Sequence, residues 1–166
     1  MNTMPGDIAE DGSFTLPRVS PGRYRVYFSG TPVYVKSMRL GTVAFDGPVL
    51  DVSNGGGGAL TMRVASSKGS VSGVLSDAKG PIGGGRVALL EDAAIRMSPM
   101  FSMTKEDGSF LFKGVAPGKY LLFPVEGGDL NAATNLRPED VEDIAENIEV
   151  GDGAAVTKAL KRREGK

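Results

Sequence analysis

One stretch of this chain occurs twice. Asp11-Gly12-Ser13-Phe14-Thr15-Leu16, followed by Val19-Ser20-Pro21-Gly22-Arg23-Tyr24-Arg25-Val26, returns as Asp107-Gly108-Ser109-Phe110-Leu111-Phe112, followed by Val115-Ala116-Pro117-Gly118-Lys119-Tyr120-Leu121-Leu122. The offset is constant at 96 residues (107 − 11). Each copy reads as an Asp-Gly turn, a short strand that points its Phe to one face, a Pro-Gly turn, and a strand in which Tyr and every second residue after it face inward. Alternation of this kind, cut by turn residues at short intervals, is the pattern of a β-sandwich, whose usual size is about 100 residues. The repeat therefore predicts an all-β chain of two tandem sandwich units.

Composition agrees and removes other classes. The 24 Gly and 10 Pro suit many short strands joined by tight turns, and 40% hydrophobic residues suffice for packed cores. A formal net charge of −1 provides no positive field to gather phosphates, which argues against nucleic acid as a partner. Cysteine is absent, so no disulfide framework exists. Histidine is absent too, and with it the commonest general base and metal ligand. No catalytic set can be assembled, and no cofactor or metal is implied. Met1-Asn2-Thr3-Met4-Pro5-Gly6 shows neither the basic nor the apolar region of a signal peptide, and no apolar run approaches the roughly 18 residues of a membrane span. Membrane contact is expected only through a partner.

The two copies differ in what precedes them. Before Asp107 come an opening strand from Gly69 to Asp77, a turn through Gly80-Pro81, an apolar strand from Gly85 to Glu91 and a weaker strand from Phe101 to Lys105. The first copy has 10 residues before its Asp-Gly turn and the second has 38 (107 − 69), so about 28 residues have no counterpart, equal to two or three strands of typical length. The reading is an incomplete first unit, residues 1–67, that begins in mid-fold, and a complete second unit, residues 68–163. Later strands of the first unit run through Val33 to Leu40, Val49 to Val52 and Ala59 to Val64, where Leu60, Met62 and Val64 alternate with Thr61 and Arg63. In the second unit Pro138, Glu139 and Asp140 suit a helix start, and Val141, Ile144, Ala145 and Ile148 recur at helical spacing, which predicts one short helix near residues 138–147. Val156 and Leu160 mark a closing strand, followed by a loose basic end.

Gly73-Val74 through Gly80-Pro81 to Val87 and Leu89, then Asp107-Gly108-Ser109-Phe110 and the V-x-P-G-x-Y element that ends at Tyr120, resemble the carboxypeptidase regulatory-like domains. These belong to the transthyretin-like, or prealbumin-like, β-sandwich group. The resemblance covers most of residues 69–160 and the later part of the first unit. It implies tandem modules that bind or space without catalysing, in proteins of the bacterial surface, periplasm or outer membrane. It implies an extracytoplasmic location as well, and it carries over no active-site residues.

Individual motifs admit a functional and a plainer reading. Asp11 and Asp107, beside Glu10 and Glu106, could offer oxygens to calcium, but Asp-Gly is also ordinary turn chemistry and the carboxylates lack the alternate spacing of a hard-cation loop. The glycine runs 55–58 and 83–85 are followed by no Gly-Lys-Ser/Thr and cradle no phosphate. Tyr24 and Tyr120 could stack on sugars, yet their phase after Pro-Gly makes them corner tyrosines whose hydroxyls bond nearby backbone. Tyr27, Tyr34 and Phe45 are the better platform candidates, and with no Trp a sugar module is poorly equipped. The acidic run from Glu139 to Glu146 reads as one solvated helix face. A Lys–Asn isopeptide bond is rejected for the second unit because its opening strand has no Lys.

The repeat core expected from this pattern is Phe14, Tyr24, Val26, Phe110, Phe112, Tyr120 and Leu122. The expected interaction surface is Phe14, Val26 and Leu60, bared by the missing strands, with Met97, Met100 and Phe101 from a Met-rich loop suited either to adaptable contacts or to filling an open sandwich end. The functional expectation is a non-catalytic structural or protein-interaction module of the bacterial envelope or cell exterior. Its alternatives are a peripheral subunit of a membrane-associated or filamentous assembly, completed by a strand from a second copy or another protein, and a carbohydrate-binding module.

Overall fold

The computed structural model describes residues 6–29, 33–66, 68–93, 98–125 and 136–162. Over these residues the chain is all-β with one short helix. The N-terminal strands are β1 (Arg23–Arg25), β2 (Tyr34–Leu40), β3 (Val43–Asp46), β4 (Val49–Asp51) and β5 (Leu60–Ala65). They form a β1-β4 pair and a β3-β2-β5 sheet. The C-terminal elements are β6 (Gly69–Asp77), β7 (Gly80–Pro81), β8 (Arg86–Glu91), β9 (Met100–Met103), β10 (Ser109–Val115), β11 (Gly118–Val125), helix α1 (Pro138–Val141), β12 (Glu146–Val150), β13 (Ala155–Thr157) and β14 (Leu160–Lys161). One sheet runs β10-β6-β13, with β7 and β14 also paired to β6, and the other runs β12-β11-β8-β9. Among the described residues every strand pairing joins partners on the same side of residue 67.

The main core lies between the two C-terminal sheets. Val71 and Leu75 of β6, Phe110, Phe112 and Val115 of β10, and Leu160 of β14 meet Val87 and Leu89 of β8, Tyr120 and Leu122 of β11, and Ile148 and Val150 of β12. Burying each aliphatic or Phe side chain contributes roughly 1.5–3 kcal/mol. The second sheet is covered on its other side too. Ala88, Leu90, Leu121 and Phe123 pack there against Val141 of α1. Two-sided burial explains why β8 and β11 read as continuous apolar runs, Val87-Ala88-Leu89-Leu90 and Leu121-Leu122-Phe123, rather than as alternation.

Four features depart from the sequence reading. The helix is a single turn that ends at Val141, and the residues expected to continue it to 147 form a turn and then β12. There Ile148 pairs with Tyr120, and Ile148 and Val150 face the core on alternate positions. Ile148 fits a period of two with Val150 as well as the helical spacing, and pairing with β11 decides between them. The closing strand is split into β13 and β14, both parallel to β6. The basic end is tied down as far as Arg162, whose amide donates to the Ser76 carbonyl at 2.8 Å and whose guanidinium meets Asp77 at 3.2 Å. The β3 strand, which closes a hairpin on β2, has no place in the sequence reading either.

The N-terminal strands repeat part of this plan. Tyr24 of β1 faces Leu50 of β4 as Tyr120 of β11 faces Ile148 of β12. Val35, Met38, Leu50 and Val52 form the buried cluster of this half, with Tyr24, Val26, Phe28 and Leu60 half-buried against it. Among the described residues, nothing pairs with β1 as β8 pairs with β11, and residues 13–19 have a single antiparallel bridge, Phe14 to Ile8, and no strand alongside as β6 lies along β10.

Candidate interaction site

The two Asp-Gly turns superpose bond for bond. In the first, the Ala9 amide donates to Ser13 (2.8 Å), the Gly12 amide to Ala9 (2.9 Å), and the Ser13 amide to the Asp11 carboxylate (2.9 Å). In the second, Lys105, Gly108 and Ser109 donate to Ser109, Lys105 and Asp107, each at 2.9 Å. Gly12 and Gly108 both take positive φ, 81° and 75°, which an Asp-Gly turn of this shape requires. Hydrogen bonds from Ser13 and Ser109 hold the Asp11 and Asp107 carboxyls below the usual carboxylate range. Those carboxylates are engaged in turn formation. Among the described residues no group of three or more His, Cys, Asp or Glu is placed to hold a metal.

The copies diverge immediately after the turns. Phe110, Phe112 and Val115 are 4%, 2% and 1% exposed because Val71 and Leu75 of β6 flank them in the same sheet and the facing sheet of β8, β11 and β12 covers them. Their counterparts Phe14, Leu16 and Val19 are only half-buried, and they border an open groove of about 880 Å³. Leu40, Leu60 and Met62 form its opposite wall. The free edge of β5 borders it, since β2 occupies the other edge. The groove is therefore an apolar trough between the segment that corresponds to β10 and the last strand of the N-terminal half.

The tyrosines hold the corner that follows. The Tyr120 hydroxyl donates to the Ala116 carbonyl at 2.8 Å, and the Tyr24 hydroxyl to the Ser20 carbonyl at 2.7 Å. A Cβ at Gly118 would touch the Tyr120 ring at 3.5 Å, and one at Gly22 the Tyr24 ring at 3.7 Å, so the Pro-Gly step lets each ring fold back over its own turn. Burial, and after it the Glu91 carboxylate, pushes the Tyr120 phenol up to about 12, with the Arg25 guanidinium pulling the other way. That guanidinium comes from β1 and meets Glu91 of β8 at 2.9 Å, with the two side chains only 12% and 15% exposed. Tyr34 and Lys36 of β2 also reach across, donating to the Asp152 carboxylate at 2.7 and 3.0 Å.

Phe14 and Leu60 line the groove, while Val26 packs against the N-terminal cluster and donates its amide to the Pro48 carbonyl at 2.8 Å. Val26 is half-buried there and does not line the groove. Phe101 is likewise half-buried, against the cluster beneath α1, because its strand pairs with β8 and turns it under the sheet. Met100 is 37% exposed on the edge strand β9, and Met97 lies outside the described residues. Phe110, Phe112, Tyr120 and Leu122 lie in the main core. The sequence reading missed the Arg25–Glu91 pair and the contribution of Leu16, Leu40 and Met62 to the groove. Leu16 carried a signal, standing 96 residues before Phe112.

No protein-family model matches the sequence, and no curated protein does. Among solved structures the chain is similar to a Pseudomonas aeruginosa protein described as carbohydrate-binding, at 13% identity and a TM-score of 0.38 over 57% of this chain and 88% of that one. It is also similar to BcpA, the major pilin subunit of Bacillus cereus, at 11% identity and a TM-score of 0.41 over 68% of this chain and 35% of the pilin. The backbone protein of the group B streptococcus pilus 2b gives 16% identity and a TM-score of 0.40 over 82% of this chain. The chain spans 51% of that protein.

Proposed function

We propose that the chain is a non-catalytic tandem β-sandwich of the carboxypeptidase regulatory-like type, dividing at residue 67 and working outside the cytoplasm as a structural or protein-interaction module. The apolar groove beside Phe14 and Leu60 is the observation that supports this reading. A trough flanked by a free strand edge is a surface that another protein covers. The ties from Arg25 and Lys36 to the C-terminal strands hold that trough on a sandwich with its own core, a scaffold suited to presenting it. No helix among the described residues is long and apolar enough to cross a membrane.

Carbohydrate binding is the competing reading, and one observation favours it: Tyr27 is 48% exposed. Two measurements separate the alternatives. An apolar fluorescent dye should bind the chain and be lost on Leu60→Asp, while titration with oligosaccharides gives no heat. Heat from an oligosaccharide that disappears on Tyr27→Ala, with no dye bound, would replace the present reading by the sugar module.

A further inference from the structure

The repeat identifies what the groove is shaped to hold. In the C-terminal half, β6 lies between β10 on one side and β13 and β14 on the other. It is antiparallel to the first and parallel to the other two. In the N-terminal half the two walls of the groove are residues 13–19, counterpart of β10, and β5, which follows β4 in the chain as β13 follows β12. The groove thus occupies the place of β6.

The wall keeps one backbone feature that accompanies the paired strand in the other half. Gly114 interrupts the pairing of β10 with β6 by a shift of register and has φ of 71°. Arg18, 96 residues earlier, has φ of 58°, the only positive φ on a non-glycine among the described residues. Arginine adopts this region only at a cost of roughly 1–2 kcal/mol. The segment therefore shares the left-handed residue of the β10 bulge, with Phe14, Leu16 and Val19 half-covered.

The side chains of β6 specify the occupant. Val71 and Leu75 face the core at 0% and 1% exposure, and Gly73 lies between them. A Cβ at Gly73 would stand 2.7 Å from Cζ of Phe110 and would collide with the Lys158 carbonyl oxygen. The ring of Phe110 thus crosses β6 where only glycine leaves room, and Phe14 occupies the corresponding position in the N-terminal half.

We infer that the groove accepts one extended segment of another polypeptide, antiparallel to residues 13–19 and parallel to β5, carrying the pattern apolar-x-glycine-x-apolar. This rests on the reading of the chain as an interaction module and gives that module its ligand. Backbone hydrogen bonds to the free edges provide the pairing, and the glycine passing under Phe14 provides the selectivity.

The test uses the full chain and a labelled synthetic peptide of residues 68–78, which contains Val71, Gly73 and Leu75. Fluorescence anisotropy should show saturable one-to-one binding. Affinity should fall at least about tenfold for the peptide with Gly73→Val, and equally for the original peptide on the Leu60→Asp chain. The peptide variant leaves the chain untouched, so the comparison holds even if Leu60→Asp does not fold. Amide exchange should slow at residues 13–19 on binding and stay unchanged over Ser109–Val115. Absence of saturable binding, equal binding of the Gly73→Val peptide, or protection confined to Ser109–Val115 would overturn the inference. If the peptide fails while the apolar dye still binds in a Leu60-dependent way, the strand inference falls and the interaction-module reading stands.

Discussion

Arg18 and Gly114, 96 residues apart, share a left-handed backbone, with φ of 58° and 71°. Glycine adopts it freely and arginine does not. Arg18→Gly should therefore stabilise the chain by about 0.5–1 kcal/mol, the relief of strain being partly offset by greater freedom of the unfolded chain. Gly114→Arg should cost about 1–2 kcal/mol. Urea unfolding of the two variants checks both signs, and a destabilising Arg18→Gly would show that the arginine side chain itself holds this turn.

Phe14 and Phe110 stand in the same place in the repeat and should respond unequally to truncation. Phe110 is 4% exposed beneath β6, so Phe110→Ala should cost about 3–5 kcal/mol, the range for a buried ring. Phe14 borders open solvent, and Phe14→Ala should cost less than about 1 kcal/mol. Equal losses in thermal unfolding would mean that the N-terminal trough is filled in solution.

How far the fold was legible follows from where its signals are local. The Asp-Gly and Pro-Gly turns and the strand phase of Tyr120 all stand within a few residues of their evidence. Pairing that joins distant segments left no such mark. Nothing in Val156 or Leu160 announces two short strands parallel to β6, and Ile148 fitted two periods until β11 chose one. The continuous apolar run of β8 reflects a second cover from α1, a tertiary fact. The groove was legible as missing strands, yet its outline needed the placement of Leu16, Leu40 and Met62, and Val26 and Phe101 turned inward where the neighbouring strands put them.

The pair Arg25–Glu91 spans the two halves with little exposure, so removing one partner leaves the other charge poorly solvated. Glu91→Gln should destabilise by about 1.5–3 kcal/mol, the range for a hydrogen bond to a charged group. Arg25→Leu with Glu91→Leu should recover part of that loss, as replacing both charges by apolar groups usually does. A double-mutant cycle in denaturant measures the coupling, and a coupling near zero would mean that the halves do not touch here in solution.

Tyr120 should make stability fall at alkaline pH. Its folded pKa, pushed up to about 12, lies above the ordinary tyrosine value of 10.0, so the unfolded chain releases this proton first. The contribution of the neutral phenol is complete below about pH 10 and is lost as pH rises toward 12. Tyr120→Phe lacks this loss but also lacks the bond to Ala116, so at pH 7 it should be less stable by about 1 kcal/mol. The gap between the two proteins should narrow from pH 10 upward, and a gap constant to pH 12 would show that the hydroxyl titrates normally.

The central claim is that, among the described residues, no strand lies beside residues 13–19 as β6 lies beside Ser109–Val115, and amide hydrogen exchange of the chain alone tests it most directly. Residues 13–19 and Ser109–Val115 are matched in sequence and differ in whether a strand lies beside them. Exchange at residues 13–19 should be faster by more than about tenfold after correction for intrinsic rates, because local opening costs little where no ladder exists. Equal and strong protection of both segments in a monomeric sample would contradict the account.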